Sequence, residues 1–207
     1  MKKNLIIIGG GGHARSIFGL LINNNLSKRL LGYSDFKKSN LPTKYLGNDE
    51  DILKNYNKKK IELILGVGIH LSLREKIIKK FKKYKFFTII DKGAKIMKGA
   101  KIEEGTVIFP NANISSKVNL NKYCVVHNSA VIDHDVKINE NCYISPAAVV
   151  CGNAIIGKNV LIGANSTMIQ DTFIADNCKL GAGSVLIKPC RTKNKILIGA
   201  PAKINKK

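Results

Sequence analysis

From Ala94 to Pro189 an aliphatic side chain returns at every sixth position. Cut into sixes from Ala94, the third residue of each hexad is Ile96, Ile102, Ile108, Ile114, Leu120, Val126, Ile132, Ile138, Ile144, Val150, Ile156, Ile162, Met168, Ile174, Leu180 and Leu186. The residue two places earlier is always Ala, Thr, Val, Cys or Ser. A period of six excludes a helix, because an apolar residue at that spacing wanders around a cylinder of 3.6 residues per turn. It fits short strands joined by turns. If three such faces close one coil, residues 18 apart stack, the third position points into a narrow core and the small first position fits beneath it. Gly, Asn and Asp gather at the fifth and sixth positions, where a tight turn calls for residues that tolerate a positive φ. Stacked coils form a solenoid with one continuous core. A β-sandwich would need all the hexads to keep phase by coincidence.

The N-terminal residues follow another rhythm. NLIIIG, from Asn4 to Gly9, reads as a buried strand, followed by the glycine run Gly9 to Gly12 and an amphipathic stretch from Ala14 to Asn23. LLGYSD ends a second strand at Asp35, IELILGVG from Ile61 to Gly68 a third, and LREKIIKKFKKY has helical spacing. Such alternation predicts a small parallel α/β domain, with the glycine loop at a strand's carboxyl end where these sheets bind ligands. Gly9, Gly11 and Ala14 satisfy the loose pattern G-x-G-x-x-A, and Asp35 stands where an acidic residue would hold a ribose. Ninety residues are too few for the six-stranded dinucleotide fold, so a Rossmann-like half domain suited to one nucleotide is expected. The alternatives are a packing turn for the glycines and a solvated loop for Asp35. The predicted division is 1–91 for this domain and 92–207 for the solenoid and its tail.

Composition adds constraints. At 44% hydrophobic and 24% charged, the 207-residue chain is an ordinary globular one. Its longest apolar runs fall far short of a membrane span, and Asn4 interrupts the start for a signal peptide, so a cytoplasmic location is expected. The cysteines at 124, 142, 151, 178 and 190 form no Cys-x-x-Cys pair and no zinc spacing, so reduced structural thiols and no metal are expected. The net charge of +21 favours an anionic partner. Nucleic acid is disfavoured, since Lys far outnumbers Arg, the charges are scattered, and no helix-turn-helix, zinc finger or aromatic platform occurs.

The chemistry points to the solenoid. His134 lies in the turn of the hexad AVIDHD, where its ring can leave the coil, and its neighbours Asp133 and Asp135 can orient it as a general base. One coil on, 18 residues later, comes Gly152, a backbone without a side chain over that base, whose N–H could meet an oxygen on which negative charge develops. The alternatives are a solvated corner for His134 and a plain turn for Gly152. His127 is a rival base, also in a turn but without adjacent carboxylates. Cys124, Cys142 and Cys178 occupy small first positions and read as packing residues.

Taken together, GGGGHAR, GYSD, GVG with Arg74 six residues on, and the hexads with VIDHD resemble the hexapeptide-repeat nucleotide-sugar acetyltransferases. These include the bacillosamine- and perosamine-type 4-amino-sugar N-acetyltransferases and the sialic acid O-acetyltransferases. The resemblance runs from Leu5 to Ala202 and implies a left-handed parallel β-helix, a homotrimer with active sites between subunits, and acetyl-CoA as cosubstrate. It implies His134 and Asp135 as the catalytic pair. For acetyl-CoA it implies Gly152, Gly163, Gly181 and Gly183 along the pantetheine path, with Lys188 and Lys195 as phosphate partners. Cys142 stands where the family often has a histidine touching the cofactor. For the nucleotide sugar it implies Gly10, Gly12, His13, Asp35 and Gly68. The segment ILIGAPAK, from Ile196 to Lys203, resembles the family's terminal GxPA motif. The expected activity is N-acetylation of a UDP- or dTDP-linked 4-amino-sugar for glycan or polysaccharide assembly, with sugar O-acetylation and a non-catalytic trimeric scaffold as the alternatives.

Overall fold

The computed structural model describes residues 2–205 and divides the chain between Thr88 and Ile89. In the first unit, β1 (Asn4–Ile8), α1 (Gly12–Asn23), β2 (Leu30–Ser34), α2 (Asp49–Asn55), β3 (Ile61–Leu65) and α3 (Leu71–Lys80) follow in order. The strands form a parallel sheet in the order β2-β1-β3. Leu5 to Ile8 are buried on both faces, which explains why β1 reads as a continuous apolar run rather than an alternating one. The short α2 has no counterpart in the sequence reading. It is set by a capping box in which the Asn48 side chain accepts from the Asp51 N–H and the Asp51 carboxylate accepts from the Asn48 N–H at 2.8 Å.

The second unit is a solenoid of two-residue strands in three sheets of eight, six and five strands, parallel throughout except in the largest, where the three-residue tail strand Ile196–Ile198 pairs antiparallel with Lys203–Ile204. Register is 18 throughout the hexads: Val125 pairs with Tyr143, Val131 with Val149 and Lys137 with Ile155. The third-position aliphatics from Ile108 to Leu186 form one buried column with the small first-position residues. Each such side chain contributes roughly 1.5–3 kcal/mol on burial. Ile96 and Ile102 are only partly buried, because the first coil has a neighbour on one side alone.

Two details depart from the sequence reading. The solenoid begins a strand earlier than Ala94, as Ile89–Ile90 already pairs with Val107–Ile108, so the division falls after residue 88 rather than 91. The left-handed residue is the sixth of the hexad and not the fifth: Gly99, Gly105, Asn111 and every sixth position to Gly183 has a positive φ, even where Lys117, Tyr123 or Ala147 stands. The coil imposes the turn on whatever residue occupies it. No helix among the described residues is long and apolar enough to cross a membrane.

Candidate functional site

The turn that carries His134 is pinned between coils. Asp135 N–H donates to the Ser116 carbonyl at 3.1 Å, and the His134 carbonyl accepts from Asn153 N–H at 2.9 Å. Asp135, at φ 59°, is the left-handed residue of its hexad, a conformation an aspartate tolerates. That twist brings its carboxylate back to His134 Nδ1 at 3.0 Å. A carboxylate only accepts, so Nδ1 carries the proton and the lone pair of neutral His134 lies on Nε2. Asp133 accepts the His134 N–H through Oδ1 at 2.8 Å and holds Oδ2 3.9 Å from Nε2. The imidazole is well exposed, with 59% of the side chain accessible. A base with one nitrogen oriented and the other open is the arrangement proton abstraction needs.

Gly152 lies one coil on, buried against this ring. Its φ is not in the left-handed region, so the turn does not demand glycine. Space does: a Cβ there would fall 2.7 Å from His134 Cε1 and 2.8 Å from Nε2. Among the described residues the Gly152 N–H has no acceptor, while its carbonyl accepts from Asp171. Cys151 was not picked out from the sequence and sits beside this group. Burial, and then the charge of Asp133, push its thiol above the usual range, which keeps it protonated and a poor nucleophile.

His127 is a different kind of histidine. It stacks on Phe109, with ring centroids 4.2 Å apart and planes 8° apart, and lies 5.9 Å from Tyr143. Its Nδ1 accepts the Asn128 N–H at 3.0 Å, which leaves the proton of the neutral ring on Nε2. Desolvation lowers its pKa, against the raising effect of Asn128. It is a neutral donor, not a base.

The remaining solenoid candidates separate by position. Cys142 is corrected: its side chain is wholly inside the core, the thiol donating to the Gly157 carbonyl at 3.0 Å, so it offers no surface to a cofactor. First positions point inward, which is why a small residue is needed there. A Cβ at Gly163 would strike the Ala182 nitrogen at 2.5 Å, and one at Gly181 the Ile198 side chain at 2.9 Å, so both glycines permit close backbone approach. Gly183 is exposed, with φ 64° and open space around it. Lys188 is exposed, and Lys195 is half-buried where the tail strand begins.

In the N-terminal unit the glycine loop is braced from below. Gly9, at φ 110°, passes close to Gly66, and a Cβ on Gly10 would collide with Ser39 Oγ at 2.6 Å and the Tyr33 ring at 2.7 Å. Asp35 Oδ2 accepts the Gly10 N–H at 2.7 Å, and Oδ1 accepts from Phe36 at 2.6 Å. Gly10 therefore gives its N–H to Asp35. The open positions are Gly11 and Gly12, both exposed at the start of α1, where N–H groups and the helix dipole favour an anion. His13 is half-buried in the same turn, and Gly68 half-buried in the loop after β3. Arg74 is fully buried and donates to the Val67 carbonyl, fastening that loop. The bracing by Ser39, Tyr33 and Arg74 carries no sequence signal of its own beyond the GVG-to-Arg74 spacing.

These two units define a class of protein: a small parallel α/β domain followed by a hexapeptide-repeat β-helix. Comparison with known families gives that class its particulars. Residues 4–81 match the PglD N-terminal domain. Residues 135–170 match the bacterial transferase hexapeptide of six repeats, and 153–188 the hexapeptide repeat of succinyl-transferase. No curated protein sequence matches. Among solved structures, the acetyltransferase domain of PglB from Neisseria gonorrhoeae is similar with a TM-score of 0.92 and 22% identity, over 99% of this chain and 100% of that one. A mutant perosamine N-acetyltransferase from Caulobacter crescentus, in complex with CoA and GDP-perosamine, gives 0.92 and 22% over 100% and 99%. WeeI from Acinetobacter baumannii gives 0.88 and 17% over 99% and 100%. The fold is that of the hexapeptide-repeat left-handed β-helix acetyltransferases, preceded by a PglD-type domain.

Proposed function

We propose that this chain is an acetyl-CoA-dependent N-acetyltransferase acting on a nucleotide-linked 4-amino-sugar, with His134 as general base. The observation that carries the reading is the His134 group. Its Nδ1 proton is held by Asp135, its Nε2 is open, and a glycine is required beside it for space. The likeness to the PglB acetyltransferase domain and to a perosamine N-acetyltransferase supports the substrate class. In the proposed reaction the sugar amine attacks the thioester carbonyl while Nε2 accepts its proton. The carbon–sulfur bond then breaks, Nε2 passes that proton on to the departing sulfur, and the coenzyme leaves as its thiol with His134 neutral again. The Gly152 N–H is assigned to the carbonyl oxygen, where negative charge develops. No covalent enzyme intermediate is needed, in keeping with the protonated Cys151.

Acetyl-CoA is assigned to the exposed face of the later coils near Gly163, Gly181 and Gly183, with Lys188 and Lys195 as candidates for its phosphates. The nucleotide sugar is assigned to Gly12, His13, Asp35 and Gly68 of the N-terminal unit, Asp35 acting mainly by holding the loop. A homotrimer with active sites between subunits and a cytoplasmic location complete the proposal. The exposure of His134 in the single chain leaves room for a neighbouring subunit to cover it.

The test is thiol release from acetyl-CoA with a panel of UDP-, dTDP- and GDP-linked 4-amino-sugars and free sialic acid, with products identified by mass. GDP joins the panel because one structural neighbour holds GDP-perosamine. Acetylation of an amino-sugar, reduced about 100-fold or more in His134→Ala, is the expected result. Turnover with sialic acid alone, or full activity in His134→Ala, would overturn the substrate class or the base.

A further inference from the structure

Residues 1–88 hold 19 Lys and Arg against 6 Asp and Glu, so the N-terminal unit carries most of the net charge of +21. The proposed chemistry makes no use of it. The lysines concentrate in YNKKK, from Tyr56 to Lys60, and KKFKKYK, from Lys79 to Lys85. Both segments follow helices that run back along a parallel sheet, so they arrive at the amino ends of the strands, where the Lys60 carbonyl accepts from Asn4 N–H at 3.2 Å. The glycine loop lies at the opposite, carboxyl ends. Between the two basic segments is a cleft of about 610 Å³. Five lysines line it, Lys54, Lys58, Lys80, Lys82 and Lys83, and no carboxylate does. Tyr84 forms part of its wall, its hydroxyl donating to the Tyr56 carbonyl at 2.9 Å.

Helix ends explain some of these charges and not others. Lys54, Lys79 and Lys80 lie in the last turns of α2 and α3, where a cation offsets the carbonyl end of the helix dipole. Lys80 is further paired with Glu50 at 2.8 Å and Asp49 at 3.4 Å. Lys58, Lys82 and Lys83 stand beyond both helices. Among the described residues, none of Lys54, Lys58, Lys82 and Lys83 forms a salt bridge. A concave space of this size is that of a small-ligand site, and converging ammonium groups suit phosphate oxygens. A membrane surface would call for apolar anchors around the lysines. At this cleft the exposed large apolar residue is Leu53, at 37%.

We propose that this cleft is a second anion site of the N-terminal unit, taking the di- or triphosphate of a small organic molecule. It is independent of the glycine loop and of the proposed acetyl transfer. Titration calorimetry of the full chain with inorganic triphosphate at low salt tests it. Saturable binding is expected, weakened at least tenfold in Lys58→Glu/Lys83→Glu and weakened again by salt, with the thermal melt unchanged. The charge-matched control Lys95→Glu/Lys101→Glu, on exposed lysines of the β-helix, should keep the wild-type affinity. Equal binding in the cleft variant, equal losses in both variants, or capture of duplex DNA or anionic vesicles that triphosphate does not displace would each overturn the proposal.

Discussion

Gly152→Ala tests the geometry of the candidate site most sharply. The added methyl would lie 2.7 Å from His134 Cε1 and 2.8 Å from Nε2, where ordinary contact begins at 3.4 Å, so the ring must retreat by about 0.7 Å. Alanine suits the backbone at this position, because φ is not in the left-handed region, and the exposed imidazole can swing into solvent. The fold is therefore expected to hold, with the stability change within about 1 kcal/mol, equivalent to a melting shift of roughly 2–4 °C in a chain of this size. The displaced ring loses its 3.0 Å contact with Asp135. A misplacement on the scale of 1 Å in a reacting group costs about 100-fold in rate. The alanine N–H remains, so the loss reports the ring and not the oxyanion contact. The measurement is kcat by thiol release from acetyl-CoA with the acceptor found in the panel, beside a thermal melt. The His134 ring resonances in an NMR spectrum should also move. Turnover within threefold of wild type, with normal melting, would refute the view that Gly152 is there to seat His134.

Other substitutions address the frame around the site. Ile144→Asp places a charge in the coil interior among fully buried neighbours and should prevent folding; a cooperative melt near the wild-type temperature would show the hexad register to be wrong. Asp35→Ala removes the acceptor of the Gly10 N–H, and leaving that donor unpaired costs about 1–3 kcal/mol, so melting temperature and nucleotide-sugar affinity should both fall. An unchanged affinity by calorimetry would remove Asp35 from the loop's support. Burial holds the His127 pKa below the ordinary value of 6.5 in the folded state, so the unfolded chain takes up the proton first as pH falls. Stability should therefore be full above about pH 6.5 and decline below it, and His127→Phe, which keeps the stack on Phe109, should flatten that part of a melting-temperature profile. A slope unchanged in the variant would assign the acid sensitivity elsewhere.

What could be read in advance follows from how local each signal is. A coil must close every 18 residues and bury one aliphatic per face, so the period, the core column and the stacking of Gly152 over His134 were all legible in the order of residues. The strand–glycine loop–helix start of the N-terminal unit was legible for the same reason, since β1, its loop and α1 are consecutive. The seven residues of α2 were missed because its capping box was the only strong signal in a segment too short to show a helical period.

Other features depend on side chains meeting across the fold. The family resemblance placed Cys142 beside the cofactor path, whereas its hexad position read as packing, and the coil agrees with the hexad by closing its thiol off in the core. The strand-end position placed Asp35 against a ribose, while the folded loop gives one of its oxygens to Gly10. His127 and His134 are both turn histidines in the sequence; burial and the Asn128 N–H make one a neutral donor, and the left-handed turn at Asp135 brings a carboxylate to Nδ1 of the other and leaves its Nε2 open. The gathering of five lysines around one cleft likewise appears only when two helices end at the same edge of a sheet. The sequence by itself determined the solenoid, its register and the position of the histidine turn, because those follow from local periodicity and turn chemistry. Only the tertiary structure decided which polar groups face a ligand and which are spent on the fold, because hydrogen bonds and contacts between distant residues exist only once the chain is closed.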